Sequence, residues 1–228
     1  MHNRIKPRLL ITAPLIIALC VAAYFAVGIG IADLHAYSPR QHLEYWQKKA
    51  KTPPTEELNQ ALNNITTAIH WNPLHAEYRD MHGLLNYYQA IDHYYQGNQD
   101  QFVQQTQQSL ADYQLATQLR PNWPYSWANI ALMKASLQQF DAEYRHALIQ
   151  ATTLGPWENG VNVSVTEAGM RGWSTLDSVT QAAVILNIER GIIRNHKNIK
   201  QRIAALDKLD LVCAQLKTSA QRKRLCGF

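Results

Sequence analysis

Apolar positions recur at helical spacing along most of this chain, and they begin with a segment that has no polar face. Leu9 to Ala32 carries no charged side chain. As a helix, its 24 residues would extend about 36 Å, more than the roughly 30 Å hydrocarbon core of a bilayer. One membrane crossing is expected. Beyond it the pattern turns amphipathic. Residues 39–51 read as a helix around Leu43 and Trp46, with Thr52-Pro53-Pro54 as the break. Leu58, Leu62, Ile65 and Ile69 then recur at intervals of 4, 3 and 4, which draws one apolar stripe on a helix from about Pro54 to Trp71. Asn72-Pro73 stops it.

Two further helix pairs follow. The first runs from Ala76, with Met81, Leu85, Tyr88 and Tyr95 on one face. It turns at Gly97-Asn98 and returns through Phe102, Leu110, Tyr113 and Ala116 to Arg120-Pro121. The second runs from Tyr125, with Trp127, Ile130, Ala131 and Leu137 inward. It returns from Phe140 through Tyr144, Ala147, Leu148, Ala151 and Leu154 to Gly155-Pro156. Later residues repeat the pattern more loosely. Val161, Val165 and Ala168 mark a short helix, Val179, Ala183, Leu186 and Ile193 a longer one, and Ile199, Ile203, Leu206, Leu209 and Cys213 a capping helix.

Pro121 and Pro156 are 35 residues apart, close to the 34-residue tetratricopeptide period. Trp127, Ile130, Ala131, Ala151 and Pro156 resemble that repeat in placement. Pro73 and Pro121 are 48 apart, so the middle pair should be longer by about two turns per helix. Gly83 fits the small position there, while Arg79 stands where an aromatic is expected. The chain contains 46% apolar residues and no runs of period-two alternation, which favours helices over strands. The expected fold is all-α: an N-terminal transmembrane helix followed by a tetratricopeptide-like α-helical solenoid with a C-terminal capping helix.

Charge assigns an address. Arg4, Lys6 and Arg8 precede the apolar segment and Asp33 is the first charge after it, so the positive-inside bias keeps the N-terminus in the cytoplasm. Residues 1–8 are then cytoplasmic, 9–32 the anchor in a bacterial inner membrane, and 33–228 the periplasmic repeat domain. Two other readings compete with the anchor. Gly30-Ile31-Ala32 faintly resembles a signal-peptidase site, but the apolar run is longer than the roughly 7 to 15 residues of a cleaved signal. Ile17-Ala18-Leu19-Cys20 has the outline of a lipoprotein box, yet Leu19 is large for its position and Cys20 lies mid-segment.

The net charge of +5 is unevenly spread. Residues 33–189 hold 9 basic and 15 acidic groups, whereas Arg190 onward holds 10 basic and 2 acidic. Such a basic tail could meet anionic lipid, an acidic partner surface or an acidic polysaccharide, or it could be an ordinary solvated helix. A periplasmic location excludes nucleic acid. Cys213 and Cys226 are the only thiols beyond the membrane segment. An oxidising compartment would let them pair, closing a loop worth about 3 kcal/mol; alternatively Cys213 is a small apolar residue beside Leu206, Leu209 and Leu216.

Three junctions carry a further likeness. The strings Asn72-Pro73-Leu74-His75-Ala76-Glu77-Tyr78, Arg120-Pro121-Asn122-Trp123-Pro124-Tyr125-Ser126-Trp127-Ala128 and Leu154-Gly155-Pro156-Trp157-Glu158 together resemble the VpsP family of polysaccharide biosynthesis proteins. These proteins accompany exopolysaccharide gene clusters in Gram-negative bacteria. The likeness covers most of the chain, anchor included. It transfers no catalytic residue, so the role it implies is accessory: a scaffold that binds protein components of a polymerisation and export complex.

Catalytic motifs are absent in the forms that matter: no phosphate loop, no His-Glu-x-x-His, no Gly-x-Ser-x-Gly and no Cys-x-x-Cys. No cofactor or metal is expected. His75 and His82 lie seven apart on one helix face without a third ligand. Asp141 and Glu143 fall at i and i+2, which on a helix point apart. Aromatics are the stronger lead. Trp123, Tyr125 and Trp157 cluster at the junctions, and with Lys134 they are the candidate partner- or glycan-binding residues, since sugar rings stack on aromatic faces. The competing reading is that they staple helix ends, as this repeat ordinarily uses them, with Trp127 in the core and Trp123 exposed.

Overall fold

The computed structural model describes residues 7–49 and 53–227. Arg4 and Lys6 of the expected cytoplasmic end, Thr52 of the expected break, and Phe228 lie outside the described residues. Among the described residues every regular element is helical, ten α-helices and one 3₁₀ turn. The chain falls into two compact units, Met1–Met81 and His82–Phe228.

In the first unit, α1 (Pro7–Lys49) is one unbroken helix of 43 residues, about 65 Å long. The sequence suggested an anchor and a separate helix over 39–51. They are instead one rod that runs through Pro14 and Pro39. A proline inside a helix costs roughly 3 kcal/mol; packing offsets it at Pro39, which is buried, whereas Pro14 lies in the exposed stretch. Gly28, Ala32, Ala36, Leu43 and Trp46 form one buried seam against α2 (Thr55–Trp71), which contributes Leu58, Ala61, Ile65 and Ala68. Small residues at the seam's start allow close approach: a Cβ on Gly28 would lie 3.6 Å from the Trp71 ring.

Residues 12–27 of α1 are exposed, and all but Thr12 are apolar. This stretch makes α1 long and apolar enough to cross a membrane. Packing on α2 begins at Gly28, and the helical residues before it, 7–27, span roughly 31 Å. That is one bilayer core, and it ends five residues before the boundary expected at Ala32. Downstream, Arg40 donates to Glu77 Oε1 through Nε at 2.8 Å and to Asp33 Oδ1 through Nη2 at 3.1 Å, and the Tyr78 hydroxyl donates to the same Asp33 oxygen at 3.3 Å.

In the second unit, α3 (Ala76–Tyr95) continues from His82 and is followed by α4 (Gln99–Leu119), α5 (Pro124–Ser136), α6 (Ala142–Leu154), α7 (Asn159–Arg171), the 3₁₀ turn Trp173–Thr175, α8 (Ser178–Ala205), α9 (Leu209–Gln215) and α10 (Ala220–Cys226). Helix α5 packs on α4, α6 and α7, and α8 packs on α6 and α7. Contact with both the next helix and the next but one is the pattern of stacked helix pairs, consistent with a helical repeat. As expected, α3 and α4 are longer than α5 and α6, at 20 and 21 residues against 13 and 13. Tyr113, Ile130, Met133, Tyr144, Leu148, Met170, Ile188 and Ile192 are the large side chains of the core. Tyr95, expected inward, is exposed, and Trp127 is only half-buried.

The last third departs most from expectation. Helix α8 absorbs Ile199 and Ile203, which were expected in a separate cap, and bends instead at Asn195, where the backbone leaves helical geometry (φ −148°, ψ 58°). Its buried face is Thr180, Val184, Asn187, Ile188, Gly191 and Ile192, whereas Val179, Leu186 and Ile193 face outward. The remainder of the expected cap is α9. A disulfide joins Cys213 to Cys226, with Cα atoms 6.0 Å apart, and pins α10 back on α9.

Candidate functional site

The three proline junctions are built alike. Asn72, Arg120 and Gly155 close their helices with nearly the same backbone angles (φ −138°, −142° and −123°; ψ 78°, 74° and 51°). Each carbonyl then accepts the amide three residues on, from His75, Trp123 and Glu158, at 3.2 to 3.3 Å. Proline follows the closing residue each time because it cannot continue a helix. In this common turn the residue after proline points to solvent: Leu74, Asn122 and Trp157 are all exposed. Pro124 adds a preference of its own. It holds Trp123 extended and occupies the first turn of α5, where its missing amide costs nothing.

Within the second unit the α4–α5 and α6–α7 junctions meet through Tyr125. Its hydroxyl donates to Glu158 Oε2 at 2.7 Å, and its ring covers Gly160, where a Cβ would come within 2.9 Å of it. Burial and the bond to Glu158 push the Tyr125 hydroxyl up to about 12, so it remains a donor. Pro124 rests on Gly155, whose absent side chain leaves the room: a Cβ there would be 2.7 Å from Pro124 Cβ.

The result is a contiguous strip. The Arg120 guanidinium lies 4.0 Å from the Trp123 ring centroid, Trp123 packs against Tyr125 at 5.3 Å, Tyr125 holds Glu158, and Trp157 lies beneath Arg190 of α8 at 5.8 Å. Trp123 is 38% and Trp157 49% exposed. Each tryptophan thus sits beside a guanidinium, a cation–π arrangement that orients the ring while leaving part of it open. Trp127, half-buried, donates its indole N–H to the Pro121 carbonyl at 2.7 Å.

The expected site residues divide. Trp123, Tyr125 and Trp157 come together, although Tyr125 is a structural tie rather than an open contact. Lys134 does not join them. It is 4% exposed, and its ammonium reaches Glu143 Oε2 at 2.7 Å and Asp141 Oδ2 at 2.9 Å. Burial alone would lower its pKa; the two carboxylates outweigh that and raise it. It clamps the α5–α6 turn and is turned away from partners. Asp141 and Glu143, expected to diverge, therefore converge. Asp141 is the cap before α6, not a helical residue, and its side chain also accepts the Tyr144 amide. Arg120 and Glu158 were visible within the junction strings, but Arg190 lies 33 residues beyond Trp157 and had no local signal.

Of the two histidines expected on one helix face, only His82 lies within a helix. His75 precedes α3 and stacks on Tyr78 at 4.0 Å, whereas His82 Nδ1 meets the buried Asp112 carboxylate at 2.7 Å. Among the described residues no three His, Cys, Asp or Glu side chains form a group that could hold a metal ion. What the strip can do chemically is bind: it offers exposed aromatic area, two guanidinium groups and one carboxylate. Set against known proteins, the chain matches no family model, and no curated protein matches it either.

Proposed function

We propose that this chain is a non-catalytic accessory protein of exopolysaccharide biosynthesis and export, anchored by α1 in a bacterial inner membrane. Its periplasmic repeat domain holds a protein component of the polymerisation and export machinery on the Arg120–Trp123–Tyr125–Trp157–Arg190 strip. The observation that carries this reading is the strip itself, because half-open tryptophan and arginine side chains held rigidly by neighbours are the residues that dominate binding energy at protein interfaces. The likeness of the three junction strings to VpsP proteins supports the pathway. An anchor rather than a cleaved signal is supported by the continuous helix through Gly30-Ile31-Ala32 and by the burial of Ala32 against α2, which leaves a peptidase no extended, accessible backbone.

The test is a Trp123→Ala/Trp157→Ala variant expressed from its own membrane. Both rings are substantially exposed, so the fold should survive. Export-complex proteins that co-isolate with the parent chain should be lost, and secreted polysaccharide should fall toward the level of a deletion strain. A deletion strain with unchanged polysaccharide amount and chain length overturns the reading. A second reading, direct polysaccharide binding, is favoured by the open Trp157 ring and the basic residues from Arg190 onward. Titrating the full chain with the polymer while following tryptophan fluorescence decides it: absence of a saturable change counts against it.

A further inference from the structure

Helix α8 carries two apolar stripes and uses one. Val184, Ile188 and Ile192 are fully buried against α6 and α7. Val179, Leu186 and Ile193 lie on the opposite side, 68%, 42% and 49% exposed. A spacing of seven drifts by only about 20° per step on a straight helix, so the three form one continuous ridge. The ridge is bounded by the Asp177 cap at one end and by the bend at Asn195 at the other. Ala182 and Arg190 lie along it, and the Arg190 guanidinium brings the exposed Trp157 ring to its flank.

We propose that this ridge is the contact for a second copy of the chain, α8 against α8, antiparallel about a two-fold axis at Leu186. A two-fold contact needs a patch complementary to itself, and this one is. Rotation about Leu186 sets Leu186 on its own copy and Val179 opposite Ile193 of the second copy. It also sets the small Ala182 opposite the long Arg190 stem. The charges agree with the same operation. Asp177, 56% exposed at the α8 N-terminus, where it caps Thr180 and lies 3.6 Å from Arg145 of its own chain, comes beside Arg194 of the second copy as a further cation, and the basic stretch from Arg190 faces the end of the helix that carries the acid. A parallel pairing would set Arg190 on Arg190 and Arg194 on Arg194, and like charges in register oppose it. The antiparallel arrangement also opposes the two helix dipoles favourably.

The ridge is roughly 25 Å long, which falls short of the ~800 Å² per partner of a standard soluble interface. Association therefore depends on the anchor, which confines copies to one plane and raises their effective concentration.

The experiment uses the full chain in membranes. Cys20 is exposed in α1 and would cross-link by itself, so every variant carries Cys20→Ala. Under mild oxidation, Leu186→Cys should give a disulfide-linked dimer, and Gln107→Cys, on the exposed face of α4, should give none. When differently tagged Val179→Cys and Ile193→Cys chains are co-expressed, the mixed 179–193 dimer should exceed the 179–179 dimer by at least about tenfold, since like-charge register costs more than the ~1.4 kcal/mol this factor represents. Leu186→Cys dimer at or below the Gln107→Cys level overturns the proposal. So does a dominant 179–179 product, or a cross-link from position 186 to a different protein in place of a second copy. Trp123 and Trp157 are untouched in these variants, so the outcome is separate from that of the partner-binding test.

Discussion

The α5–α6 and α7–α8 pairs stand side by side in one core and close by different chemistry. The α5–α6 pair buries large and small apolar residues together, Met133, Tyr144 and Leu148 with Ala128, Ala131, Ala147 and Ala151. The buried Lys134 is neutralised at the turn by Asp141 and Glu143. Between α7 and α8 the joint is glycine and amide. A Cβ on Gly169 would lie 2.7 Å from both Val184 methyls, and one on Gly191 would lie 2.7 Å from Ile199 and 3.2 Å from Asn162. Asn162 Nδ2 donates to Asn187 Oδ1 at 2.9 Å, and Asn187 Nδ2 returns to the Asn162 carbonyl at 3.0 Å and to Thr166 Oγ1 at 3.2 Å. The contrast teaches that an apolar stripe selects the buried face only where nothing more exacting competes. A buried amide pair is costly to leave unmade, and a glycine notch admits one neighbour at one height. Together they turn α8 so that Leu186 faces out and Asn187 faces in.

The largest test of this contrast lies within α8. Ile188→Ala should cost about 3 to 4 kcal/mol by leaving a core cavity, while Leu186→Ala, two residues away, should stay within about 0.5 kcal/mol. Denaturant unfolding followed by circular dichroism measures both, and equal costs would mean that the two faces have been assigned wrongly. Next comes the closure of the α7–α8 end. Cys213→Ser should remove about 3 kcal/mol and expose residues 217–224 to trypsin, whereas an unchanged digestion pattern would show that α10 holds without the bridge.

Asn187→Ala should cost about 2 kcal/mol, because the Asn162 amide loses its buried partner. Its effect should be non-additive with Asn162→Ala, which a double-mutant cycle detects. The smallest effect belongs to α5–α6. Lys134→Met should stay within about 1 kcal/mol of the parent, since Asp141 and Glu143 are half-exposed and regain water when the cation goes. The pH dependence separates this joint from the other. Burial would raise the Asp141 pKa, but the Tyr144 amide and Lys134 outweigh it and hold it below the ordinary 3.8. Its folded form thus binds protons more weakly than its unfolded form. Its contribution is present above about pH 4 and is lost as pH falls through the lowered value. The parent chain should lose stability there more steeply than Lys134→Met, and parallel acid titrations would contradict the clamp.

Much of the architecture was legible in local residues. The junction prolines, the length difference between the middle and third pairs, and the inward set Leu110, Tyr113, Ile130, Ala131, Tyr144, Ala147, Leu148 and Ala151 follow from spacing and from what proline forbids. At the candidate site Trp123 and Trp157 were legible for the same reason, since they occupy the turn that proline enforces. Lys134 was not. Its burial depends on Asp141 leaving the helix to cap it, a backbone change that period counting does not register. Arg190 was not legible either, because its place over Trp157 is set by how α8 lies across the α6–α7 junction.

The sequence by itself determined that the chain is helical, that a bilayer-length apolar segment leads it, where each helix pair must turn, and that two cysteines stand close enough along the chain to bridge. These are properties of single helices and short loops, fixed by hydrophobic period, proline and chain length. Only the tertiary structure decided that the apolar segment and the helix after it form one rod, which face of α8 is buried, and that Lys134 points inward. Those outcomes turn on which neighbour offers a glycine notch, an unpaired amide or a carboxylate at the right distance, and such offers come from residues remote in the chain.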